Sequence, residues 1–65
     1  MSQPERKSRL QALRERAALT QAEVARALKV SEITVRHWEA GLRTPRTSRL
    51  KAYARVLGCA VGELL

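Results

Sequence analysis

The chain has 65 residues, enough for one domain with a small core and too few for a scaffold that also carries an enzyme cleft. Thirteen Lys and Arg stand against six Glu and no Asp, for a net charge of +7, a balance that favours a polyanionic partner such as nucleic acid. No apolar run approaches the roughly 20 residues of a spanning helix, and Met1 to Arg6 lack the apolar core of a signal peptide, so a cytoplasmic protein with no membrane partner is expected.

From the N-terminus, Pro4 and Glu5 suit the first turn of a helix. Leu10, Leu13 and Ala17 then recur at helical spacing, which predicts a first helix over about 5–17 and a break at Ala18 and Leu19. Thr20 with Glu23 three residues later is a capping-box pattern. It opens a second helix whose inner face is Val24, Ala25 and Leu28. Lys29 and Val30 make a turn, and Ser31 caps a third helix whose core-facing pair is Val35 and Trp38. Gly41 ends that helix in the manner of a left-handed cap. After a loop over Leu42 to Pro45, a fourth helix is predicted from Thr47 or Ser48 to Leu57, with Leu50, Tyr53, Ala54 and Leu57 inward and Gly58 as its stop. Val61 to Leu65 has room only for a short final turn or helix that presses Val61 and one of Leu64 or Leu65 onto the core. No strand signal, repeat or low-complexity stretch is present. The expectation is a compact five-helix, all-α single domain over 1–65.

Two short helices joined by a tight turn over about 20–41 form the arrangement that places a helix in the major groove of DNA. Setting residues 100° apart around the third helix, Val35 and Trp38 define the buried direction. Ile33 and Ala40 lie opposite, flanked by Arg36 and His37, with Glu32 and Thr34 at the N-terminal end that approaches base edges. Each of these side chains has a use in a groove. Arg36 can fork onto a guanine or grip a phosphate, Ile33 can meet a thymine methyl, Glu32 can accept from a cytosine amino group, Thr34 can bond base or phosphate, and His37 can donate to a purine acceptor. Plainer readings stand beside these. Arg36 and His37 also suit a solvated face, Ile33 a partial core position on a rotated helix, and Glu32 a simple stabiliser of the helix dipole. Trp38 reads as core. Arg26, Arg49, Lys51 and Arg55 read as solvated exterior that adds general attraction to DNA.

From about Leu10 to Leu65 the order and spacing closely resemble the lambda-repressor/Cro-like helix-turn-helix family, with Leu19-Thr20-Gln21 opening the motif and Trp38-Glu39-Ala40-Gly41 closing it. The resemblance implies that Gln21 packs beside the DNA backbone and buttresses the reading helix, and that Ser31 meets a phosphate. It implies base reading by Glu32, Ile33, Thr34 and His37, phosphate binding by Arg43 and Arg46, and an ion pair between Arg14 and Glu39. A local contact between Arg36 and Glu39 is the alternative to that pair. The chain departs from the family at Ala18 and Lys29, where glycine is usual, at Ala60, where a capping Ser or Asp is common, and at Glu32, which is unlike the family's usual readers.

The expected function is sequence-specific binding of double-stranded DNA as a transcriptional regulator, a repressor that inserts the helix over about 32–40 into the major groove. It is expected to act as a homodimer on a palindromic operator, paired through Leu57 to Leu65. No cofactor, metal or small-molecule effector is expected. The single Cys59 and single His37 give no ligand set, and the chain has neither a Ser-His pairing at useful spacing nor a glycine-rich phosphate loop. The alternative is an antitoxin-like or adaptor protein-interaction module on the same fold, which apolar exposure at Leu42, Cys59, Leu64 and Leu65 would favour. A nucleoid-type binder driven by charge alone is a third reading.

Overall fold

Hydroxyl side chains set three of the four helix starts. Ser8 Oγ accepts from the Gln11 amide at 3.1 Å, Thr20 Oγ1 from the Glu23 amide at 3.0 Å, and Ser31 Oγ from the Thr34 amide at 3.2 Å. Each satisfies an amide that the first turn of a helix leaves without a partner. At Thr20 the bond is reciprocated, because Glu23 Oε1 accepts from the Thr20 amide at 2.8 Å. The computed structural model describes residues 8–64, and within them these caps open α1 (Arg9–Arg16), α2 (Gln21–Leu28) and α3 (Glu32–Ala40), followed by α4 (Thr47–Leu57) and a 3₁₀ turn, Val61–Leu64. The described part of the first helix thus starts behind Ser8, later than the start near residue 5 that Pro4 and Glu5 suggest; those two residues lie outside the described ones. The signal at the observed start is Ser8 followed three residues on by Gln11, itself a capping pattern.

All four helices end alike. Ala18, Lys29, Gly41 and Gly58 take positive φ of 61°, 60°, 79° and 71°. The amide of the next residue then reaches back five positions, from Leu19 to Arg14 O, Val30 to Ala25 O, Leu42 to His37 O and Cys59 to Ala54 O, at 2.9–3.2 Å. This is the Schellman closure, which returns the chain while satisfying the last carbonyls. Two of the four left-handed positions carry a Cβ, and each costs about 1 kcal/mol relative to glycine.

The fold is all-α, and no strand occurs among the described residues. The fifth element is a single 3₁₀ turn, the short final turn that the sequence leaves room for. Ala60 has no hydroxyl to cap it, and Glu63 Oε2 instead accepts from the Ala60 amide at 3.3 Å. α2 packs on α3 and α4, α1 on α3 and the 3₁₀ turn, and α4 on that turn. Between them lie Leu10, Leu13, Val24, Ala25, Leu28, Val35, Trp38, Tyr53, Ala54, Leu57 and Leu64. Burying a large aliphatic or aromatic side chain contributes about 1.5–3 kcal/mol, so α3 is held chiefly by Val35 and by Trp38, whose ring centre lies 5.5 Å from that of Tyr53. Leu50 and Val61 are half-buried against this core. Among the described residues no helix is long and apolar enough to cross a membrane.

Candidate nucleic-acid interface

Glu39 is the one buried charged residue among those described. Its carboxylate is met by Arg14 from α1, Nε to Oε2 at 2.5 Å and Nη2 to Oε1 at 3.2 Å, a two-point grip that suits the planar guanidinium. Arg14 Nη1 also donates to the carbonyl of Leu19, in the break after α1, at 2.8 Å. The hydrogen bond to Glu39 is the main reason the Arg14 pKa is raised, against the opposing effect of burial. Gln21 then adds Nε2 to Glu39 Oε1 at 3.0 Å. The end of α3 is therefore tied to both α1 and the start of α2. Arg36 takes no part in holding Glu39 and turns to Glu32 instead, Nη2 to Oε2 at 3.3 Å.

With Val35 fully buried and Trp38 nearly so, α3 presents the opposite arc outward. Ile33 is 49 % exposed, which disposes of a rotated helix with Ile33 in the core. Glu32 and Arg36 are exposed. Thr34 and His37 are half-buried. The Thr34 hydroxyl lies 2.9 Å from that of Ser31, so both belong to the helix cap as well as to its outer face. The His37 carbonyl accepts from the amides of Leu42 and Arg43, at 2.9 and 3.4 Å, which folds the loop after α3 back against the helix. Gln21 is half-buried and directed at α3, with its Oε1 accepting from Arg36 Nε at 3.4 Å.

Beside this arc runs an open groove of about 270 Å³. Its apolar lining is Val30, Trp38 and Pro45, and its polar lining is Thr34, Arg43, Thr44, Arg46 and Arg49. Arg46 precedes α4 without a side-chain capping bond, and with Arg49 of the first turn it brings the start of that helix into the groove's lining. Three guanidinium groups and a helix N-terminus make a place for anions. The sequence reading singles out Arg43 and Arg46 and assigns Arg49 to the solvated exterior. Arg49 is indeed exposed, and it also donates through Nη1 to the carbonyl of Leu28 at 2.7 Å, fastening the start of α4 to the end of α2. Nothing in the local pattern marks Arg49, because its partner is a backbone carbonyl 21 positions away.

Among its described residues, which do not include Leu65, the C-terminal face holds less free apolar surface than its composition suggests. Leu57 and Leu64 are buried in the core, and Cys59 and Val61 are half-buried against it. Burial, with Glu63 adding to it and Arg16 opposing, pushes the Cys59 thiol pKa up. Arg16 and Glu63 meet at 3.5 Å across the same edge. Leu42, in the loop after α3, is the most exposed large apolar side chain described, at 71 %.

Among known families, the helix-turn-helix family matches residues 10–64 of this chain. No individual curated protein and no solved structure matches it.

Proposed function

Since the chain belongs to the lambda-repressor/Cro-like helix-turn-helix family, whose members are DNA-binding regulators, we propose that it is a sequence-specific transcriptional regulator of double-stranded DNA, a repressor that seats α3 in the major groove. One observation carries this reading: an outward arc of Ile33, Arg36 and His37 on a helix locked from behind, directly beside a groove of arginines. In this assignment Ile33, Thr34, Arg36 and His37 meet base edges, with Glu32 beside them in the first turn. Ser31, Arg43 and Arg46 take phosphates, joined by Arg49, and Gln21 supports α3 next to the backbone. Such phosphate contacts fix orientation and base contacts carry the discrimination. Repression by occupying the operator requires no effector, and a pair of copies on a palindrome supplies the contacts that one helix lacks.

Burial of Leu64 removes one of the apolar residues that the protein-interaction alternative relies on, and a binder driven by charge alone has no use for an exposed Ile33. Selection of bound sites from random duplexes tests the proposal. It should return an inverted-repeat consensus, on which Arg36→Ala or His37→Ala weakens binding by about 1–3 kcal/mol and relaxes one base pair. Variants that bind every sequence as the parent does would show that α3 is not the reader.

A further inference from the structure

The guanidinium of Arg36 is held on one edge. Its Nε–H points to Gln21 Oε1 at 3.4 Å and its Nη2 to Glu32 Oε2 at 3.3 Å. The orientation of Gln21 is itself fixed, since its Nε2 serves the buried carboxylate of Glu39 at 3.0 Å and only its oxygen is left to turn toward Arg36. Of the five guanidinium N–H groups, the Nε–Nη2 edge is thereby engaged and the Nη1–Nη2 end stays open. That end still matches the paired acceptors O6 and N7 of a guanine.

Charge is divided unevenly between the two parts of the interface. The loop and groove carry Arg43, Arg46 and Arg49 with no carboxylate among the lining residues. On the exposed arc of α3 the full positive charge of Arg36 is matched by Glu32, four residues earlier and in contact with it. In a chain of net charge +7, the helix placed to read bases is close to neutral. A bare arginine discriminates poorly on DNA because any phosphate attracts it. A carboxylate at its side repels anionic phosphate oxygens, while the neutral acceptors of a guanine edge remain available to the open end.

We propose that Glu32 is a specificity-determining residue that acts through Arg36: it cancels the charge of Arg36 and, with Gln21, holds its side edge, so that Arg36 serves as an end-on donor to a base and not as a phosphate clamp. The inference rests on α3 being the reading helix, and it deepens that reading by separating a phosphate-gripping loop from a charge-balanced reading face.

The test compares the parent, Glu32→Gln, Arg36→Gln and the double variant on a selected duplex and on random duplex of equal length, across a range of salt. Far-UV circular dichroism first establishes that each variant is folded. Glu32→Gln should bind random duplex roughly three- to tenfold more tightly at low salt and steepen the salt dependence by about one phosphate contact. Its ratio of selected to random affinity should fall by a similar factor. In the Arg36→Gln background the same change should have little effect on that ratio. An equal effect of Glu32→Gln in both backgrounds, or loss of affinity for the selected duplex alone with an unaltered salt slope, overturns the proposal in favour of Glu32 as an independent base contact. A parent that shows no selected site at all overturns the reading-helix assignment itself, an outcome distinct from a selective parent whose selectivity Glu32→Gln leaves untouched.

Discussion

Tyr53 is fully buried, yet its hydroxyl has no hydrogen-bond partner among the described residues. The ring does the packing, against Trp38, while the oxygen sits close enough to Glu39 and Arg14 to feel both charges. Burial, then the carboxylate of Glu39, push the Tyr53 pKa well above its ordinary value, with Arg14 opposing. The protein therefore holds this phenol neutral, whereas the unfolded chain ionises it near pH 10. A folded-state pKa raised above the unfolded one contributes stability that is present in full below about pH 10 and lost as pH rises beyond it. Tyr53→Phe should remove this alkaline loss. It should also leave neutral-pH stability unchanged or slightly higher, because an unpaired buried hydroxyl costs about 1–3 kcal/mol. Thermal melts at pH 7 and pH 11 check both halves; a parent and variant that lose equal stability between the two would show that another group governs the alkaline limb.

At the scale of the elements, the left-handed ends decide how the helices are spaced. Ala18 is exposed and holds φ of 61°, so Ala18→Gly relieves strain without removing a packed side chain. It should add up to about 1 kcal/mol, or roughly 4–8 °C in Tm for a domain of this size. A variant that melts at or below the parent's temperature would mean that the entropy gained by the unfolded chain offsets the strain. These ends also show what could be read in the sequence. The starts at Thr20 and Ser31 and the stops at Gly41 and Gly58 are local signals and were legible, as was the inward face of each helix. Ala18 and Lys29 are recognisable as left-handed only by comparison with a family that prefers glycine there, because neither residue favours that conformation. The shortness of the last element was legible too, since Ala60 offers no hydroxyl cap and only Glu63 meets its amide. In the interface, the outward arc of α3 followed from periodicity alone. The grip of Arg49 on Leu28 depends on a distance that no pattern encodes, whereas the pairing of Arg36 with Glu32 sits at the four-residue helical spacing and was open to reading.

For the molecule as a whole, a helix of α3's length in the proposed role would span only a few base pairs, too few to select a site among the roughly 10⁶ or more that a genome offers. Two copies on half-sites about 10 base pairs apart would double the contacts. With Leu57 and Leu64 already buried, the described residues of the C-terminal face offer chiefly Gly58, Ala60 and Gly62 together with half-buried Cys59 and Val61, a surface better suited to weak pairing than to a permanent dimer. Sedimentation should accordingly find monomers in dilute solution and a two-to-one complex on a selected duplex. A one-to-one complex at saturating protein, on a site without an inverted repeat, would exclude the dimer. The clamp of Arg14 and Gln21 on Glu39 bears on how such a chain can drift through evolution. A change at any one of positions 14, 21 and 39 strands a buried charge or its donor, so each is tolerated best in company with the others. Lineages descended from this sequence should therefore exchange the three positions as a set, drawing in Arg36 through its bond to Gln21, while Ile33 and His37 are left to diversify on the outer side of the same helix.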